Sequence, residues 1–185
     1  MSASKRVLVP IADGTEEIEA VTIIDILRRA GVDVVTASVG ELEITASRGV
    51  RLVADCLISQ CLDREFDMIA LPGGIPGAEH LRDCPALIKI LHHHDKAGKW
   101  LAAICAAPVV TLQPHGFLDN RLATCHPGRQ SALHNRTAAH NRVVTDHNLV
   151  TSQGPGTAIE FSLQLVKLLC GEKKAAEVAA PLVIL

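Results

Sequence analysis

The chain has 185 residues, enough for a domain that buries a core of its own without disulfide or metal staples. Hydrophobic residues make up 48% and charged residues 21%, yet the aromatics are three Phe and one Trp with no Tyr, so the core is aliphatic and base stacking on nucleic acid is disfavoured. The net charge of −2 is spread along the chain rather than gathered in a stripe, which argues against nucleic-acid and membrane surfaces as partners.

The first fourteen residues, MSASKRVLVPIADG, hold an apolar run of six, Val7 to Ala12, followed at once by acidic residues, unlike a secretory leader. The longest apolar run, Trp100 to Val110, is eleven residues and contains a proline, short of the roughly 18 of a membrane span. Six cysteines lack any C-x-x-C spacing, so free thiols and a cytoplasmic location are expected, with Cys56 and Cys61 pairing only under oxidation.

The strand-like RVLVPIA leads into a helix over Glu16 to Ala30, with apolar Ile18, Val21, Ile24, Ile26 and Leu27, that stops at Gly31. VDVVTASV reads as a second strand, and the strand–helix–strand unit implies a parallel pair with a right-handed crossover. LEITASRGVRLVAD breaks at Arg48-Gly49 between two β-rich pieces and reads as a short hairpin or a bent excursion. FDMIALPGG is a third buried strand, Leu87 to Ala97 a helix, and KWLAAI, RLATC and NLVTS further strands. Ala158 to Leu169 is a helix opened by Thr157, with Glu160 completing a capping box. Arg129 to Arg142, rich in Asn, His and Arg, reads as surface. No repeat, low-complexity segment or linker divides the chain, and residues 1–185 read as a single α/β domain, a doubly wound, mostly parallel sheet with helices on both faces.

Ligands bind such sheets beyond the carboxyl ends of the strands, so the loops DGTEEIE, PGGIPGAE, CAAP, CHPG and SQGPGT are where a site is sought. Cys105 sits where a strand gives way to a helix. There it is either a small buried cysteine or a nucleophile on an elbow, its thiolate favoured and its pKa lowered by the helix N-terminus. Glu16 and Glu17 read as surface caps; Glu19, further into the helix and roughly opposite Glu17, can point inward at the strand tips. Gly73 and Gly74 let backbone N–H groups approach a ligand oxygen, and Ala106 supplies another such group. His126 stands at a strand tip, as a structural histidine or a proton carrier. Arg48 and Arg29 are either solvated arginines or an anion-binding wall. The run His92 to Asp95 has the composition of a metal site, but adjacent helical residues point about 100° apart, which favours a solvated face.

Six co-linear motifs, GTEEIEAVTIIDILRRAG, ITASRGV, LPGGIPGAEHLRD, AAICAAP, TCHPG and LVTSQGPGTAIEF, span Lys5 to Val183. Together they resemble the ThiJ/PfpI superfamily, in the branch that holds YajL and the parkinsonism-associated protein deglycase. The resemblance implies a flavodoxin-like fold with a nucleophile elbow, Cys105 as the reactive and oxidisable cysteine, Glu19 as the acid that hydrogen-bonds it, and His126 as the nearby histidine. Gly74 and Ala106 match the family's backbone donors. It further implies a homodimer with the site near the interface, where Pro181 of one subunit or the other can be recruited. The protease-like branch carries a histidine directly after the cysteine; Ala106 stands there instead, so that peptidase triad cannot form.

The function implied is cofactor-free and metal-free conversion of methylglyoxal, or of its early adducts with amines and thiols, to lactate, with nucleic acid entering only as a glycated substrate. The alternative is a redox sensor and holdase chaperone built on the same cysteine.

Overall fold

A computed structural model describes residues 4–184. In chain order these form β1 (Arg6–Ile11), α1 (Glu17–Arg29), β2 (Asp33–Ser38), β3 (Glu43–Thr45), β4 (Arg51–Val53), β5 (Cys56–Leu57), β6 (Met68–Leu71), α2 (Gly77–Arg82), α3 (Pro85–Lys96), β7 (Trp100–Ile104), β8 (Val143–Asp146), β9 (Leu149–Ser152), α4 (Ala158–Cys170) and α5 (Glu172–Ala179).

Strands buried on both faces divide their residues by period two. In β1, Val7, Val9 and Ile11 enter one core and Leu8 the other; in β6, Met68 and Ala70 separate from Ile69 and Leu71 in the same way. The first core is closed by Ile23, Ile26 and Leu27 of α1 and by Phe161 and Leu165 of α4. The second is closed by Leu81 of α2 and Leu87 and Leu91 of α3. The result is a three-layer sandwich around a seven-stranded sheet of order β5-β2-β1-β6-β7-β9-β8, parallel except for β8. This is the flavodoxin-like, mostly parallel fold expected. β3 and β4 form the predicted hairpin as a separate antiparallel pair.

The chain runs from β1 outward to β2, then returns to β6 on β1's other side. The strand order therefore reverses between β1 and β6, and a crevice opens where the loops after β1, β6 and β7 meet.

Several expectations need correction. RLATC is not a strand: β9 is already paired with β7 on one edge and β8 on the other. Thr124 of that segment is held instead by the Thr151 hydroxyl, which accepts its N–H at 2.9 Å. The Thr157–Glu160 capping box does not form. The Thr157 hydroxyl bonds Ser152 Oγ at 2.7 Å, and Glu160 pairs with Arg142 at 2.7 Å. Glu17 is no surface cap: it is buried, accepting from Ser47 Oγ and Arg48 N at 2.7 Å each. The His92–Asp95 run is not one solvated face either. His94 is buried against the Trp100 carbonyl, and Asp95 accepts from Arg121 and Asn148.

Among the described residues no helix is long and apolar enough to cross a membrane.

Candidate active site

Three loops meet at the crevice, and those after β1 and β6 bond each other directly. The Glu16 N–H donates to the Gly73 carbonyl at 3.0 Å, and the Gly73 N–H donates to Glu19 Oε2 at 2.8 Å. The start of α1 and the loop after β6 are thus stitched together by a reciprocal pair. Glu16 caps α1, its Oε2 accepting the Glu19 N–H at 2.8 Å, and the third helical residue, Glu19, turns fully inward at 0% exposure.

β7 ends at Ile104, and Cys105 follows with φ 65, in the left-handed region. A non-glycine residue there is strained, and such strain is typical of functional turns. Cys105 is held from both sides: its N–H donates to the Ser152 carbonyl at 3.0 Å and its carbonyl accepts the His126 N–H at 2.8 Å. The chain beyond it enters a π-helical turn, Pro108–Leu112, rather than a regular helix. The strand-to-turn elbow is present; the long helix behind it is not.

The electrostatics of Cys105 reverse the sequence expectation. Burial pushes its thiol up, to about 12, and the neighbouring Glu19 charge acts in the same direction; the N–H groups of Gly74 and Ala106, aimed at the sulfur, oppose both without prevailing. Burial likewise raises Glu19 to about 7, against the lowering effects of the Gly73 N–H and the Cys105 thiol. Glu19 Oε1 has no partner of good hydrogen-bond geometry among the described residues. The two groups therefore behave as one site that tolerates a single negative charge, with one proton shared between carboxyl and thiol.

A cleft of about 310 Å³ opens over the sulfur, lined in part by Ser47, Arg48, Gly74, Ala106, His126 and Arg129. The His126 Nδ1 accepts the Gly128 N–H at 3.2 Å, which assigns the proton of the neutral ring to Nε2. Arg48 and Arg129 make no ion pair among the described residues, so two guanidinium groups at the cleft are free to meet an anion. Arg129, like Ser47, was not anticipated. Its signal was Pro127, which opens a short 3₁₀ helix, Pro127–Ala132, and keeps Arg129 close behind His126.

The structure brings together Cys105, Glu19, His126, Gly73, Gly74, Ala106 and Arg48. Within the one chain it does not bring Arg29 or Pro181. Arg29 lies ten residues beyond Glu19 on the same helix, about 15 Å at 1.5 Å per residue. It pairs with Asp25 at 2.6 Å and lines, with Pro181, a separate depression.

A parallel sheet with a cysteine elbow, a buried acid against the sulfur and a histidine whose N–H bonds the elbow's carbonyl defines a class, and the chain belongs to the DJ-1/PfpI family, which it matches over residues 5–168. It is 46% identical to protein DJ-1 homolog B of Arabidopsis thaliana over 99% of its own length, and spans only 42% of that relative. The glutathione-independent glyoxalase DJR-1.2 of Caenorhabditis elegans is 34% identical, with 98% of each chain covered. The solved structure of oxidised DJ-1 from Toxoplasma gondii superposes with a TM-score of 0.95 at 46% identity, covering 97% of this chain and 98% of that one.

Proposed function

We propose that this protein is a cofactor-independent glyoxalase or deglycase that uses Cys105 as nucleophile on methylglyoxal or its early adducts. The observation that carries this reading is the buried Glu19 carboxyl beside the Cys105 sulfur, since a proton passed from thiol to carboxylate creates a nucleophile and an acid in one step at constant net charge. The Caenorhabditis relative's name points the same way.

The thiolate adds to the aldehyde carbon, the carbonyl electron pair moves to oxygen, and the protonated Glu19 or His126 delivers a proton there, giving a hemithioacetal. From an amine adduct the same sulfur displaces the amine, which leaves with a proton from the same acids. Transfer of the hydrogen on C1 to C2 by proton steps through an enediol oxidises the aldehyde carbon and reduces the ketone carbon. This internal exchange needs no external electron acceptor. Water then cleaves the lactoyl thioester, releasing lactate and restoring Cys105. The test is the product formed from methylglyoxal by freshly reduced protein against the Cys105→Ser variant.

A second reading uses the same groups differently. The Gly74 and Ala106 N–H groups and a protonated Glu19 are donors placed to hold the oxygens or charge of an oxidised Cys105 sulfur, as a redox sensor or redox-regulated chaperone requires. A sensor alone turns over no more methylglyoxal than a free thiol does. A homodimer also belongs to the proposal, supported by the exposed Ile18 and Val21 on α1 and Val50 in the hairpin turn beside them.

A further inference from the structure

A pair of thiols lies away from the Cys105 cleft. Cys56, on the short edge strand β5, and Cys61, at the end of the one-turn 3₁₀ helix Ile58–Cys61, bring their sulfurs to 3.6 Å. Both are free cysteines, Cys56 half-buried and Cys61 fully buried. Arg64 reaches back over them: its Nη1 lies 3.9 Å from the Cys56 sulfur, and its guanidinium carbon sits 5.6 Å from the centroid of the Phe66 ring, which holds the charge in place. A thiol open to solvent beside a fixed cation is the one that meets an oxidant first; a buried thiol beside it is placed to resolve the product.

We propose that Cys56 and Cys61 form a dithiol redox site, separate from the Cys105 site, that takes a hydroperoxide as its oxidant and closes into an intramolecular disulfide. The Cys56 thiolate attacks the outer peroxide oxygen, the O–O bond breaks, and the alcohol or water leaves with a proton, giving Cys56 sulfenic acid. The Cys61 sulfur then attacks the Cys56 sulfur, the S–O bond breaks, and a second water leaves with the thiol proton. Two electrons pass from the two thiols to the peroxide, and nothing else is consumed.

Geometry supports the second step. The sulfurs must close from 3.6 Å to about 2.05 Å, and the residues that carry them lie at the ends of a two-residue strand and a single helical turn. Charge supports it too. Burial raises the Cys61 thiol to about 11, and the adjoining Cys56 sulfur adds to that opposition; conversion of Cys56 to a neutral sulfenic acid removes the Cys56 contribution and leaves the Arg64 charge, which acts in the favourable direction.

The test is treatment of the reduced whole protein with hydrogen peroxide, alkylation of remaining thiols, and peptide mass mapping without reduction. The expected result is a peptide carrying a Cys56–Cys61 link, two hydrogens lighter, reversed by dithiothreitol and unchanged in the Cys105→Ser variant. In Cys61→Ala, dimedone should label Cys56 as sulfenic acid. In Arg64→Ala, link formation should slow several-fold. Alkylation of both Cys56 and Cys61 after peroxide treatment overturns the proposal, as does a link that disappears with Cys105. An undiminished rate in Arg64→Ala overturns the assignment of Cys56 as the sulfur attacked first.

Discussion

Gly73 and Cys105 meet so closely that a methyl group on Gly73 would stand 2.7 Å from the Cys105 Cβ, and 2.9 Å from both the Ala106 nitrogen and Glu19 Oε2. Here the absence of a side chain is what allows a buried acid and a sulfur to share one proton.

Replacing Gly73 with Ala is therefore expected to push the elbow and the acid apart. Overpacking of this kind costs about 1–3 kcal/mol, which in a chain of this size lowers Tm by roughly 2–12 °C. Turnover should fall at least tenfold, because misplacement by about 1 Å is enough to cost 10²-fold. Calorimetry and a methylglyoxal assay on the same preparation check both, and wild-type Tm with wild-type turnover would contradict the packing described.

Glu19 ties stability to pH. Its carboxyl is raised from 4.5 to about 7 in the folded chain, chiefly by burial, so between those values the folded state binds more protons than the unfolded one. Stability then falls as pH rises through that window, by up to about 3 kcal/mol for this group. Denaturant titrations of wild type and Glu19→Gln between pH 4.5 and 7.5 should diverge accordingly, the wild type losing stability relative to the variant. Parallel curves would mean that Glu19 titrates normally.

The same variant separates charge from proton transfer. Gln keeps an N–H donor near the sulfur and removes the charge that opposes the thiolate, so Cys105 alkylation near pH 7.5 should hold or rise. It carries no transferable proton, and turnover should drop by about 10² or more. Full turnover in Glu19→Gln would take Glu19 out of the mechanism and leave His126 as the acid.

The unpaired guanidinium groups of Arg48 and Arg129 predict a preference for anionic substrates. A charged hydrogen bond contributes about 1.5–3 kcal/mol, so Arg129→Ala should raise KM for glyoxylate by about tenfold or more and leave KM for neutral methylglyoxal nearly unchanged. Equal changes for both substrates would show that Arg129 does not face the reacting molecule.

Every parallel strand but the two-residue β5, together with the hairpin and the crevice, was legible because short β-rich runs are bounded by turn residues. β8 was not, although RVVTDHNLVTS contains two β-rich pieces joined by His147 and Asn148, a two-residue hairpin loop in which His147 takes φ 50. Helical geometry sets Glu19 roughly opposite Glu17 but does not decide which faces inward, and both are buried. The thiol pKa was not legible either, because the helix-end argument counts only backbone dipoles, whereas burial and the Glu19 charge come from segments 86 positions apart in sequence. Arg29 failed for the opposite reason: it shares a helix with Glu19, and only the rise along that helix takes it out of reach.

The proposed function stands on Cys105 performing covalent chemistry on a dicarbonyl. It is tested most directly by lactate formation from methylglyoxal, with freshly reduced wild type, Cys105→Ser and His126→Ala compared at equal concentration. Lactate is expected from wild type, a loss of roughly 10²–10⁴-fold in His126→Ala as for a proton carrier, and none above buffer in Cys105→Ser. Equal lactate from wild type and Cys105→Ser, or none from the reduced wild type, would contradict it.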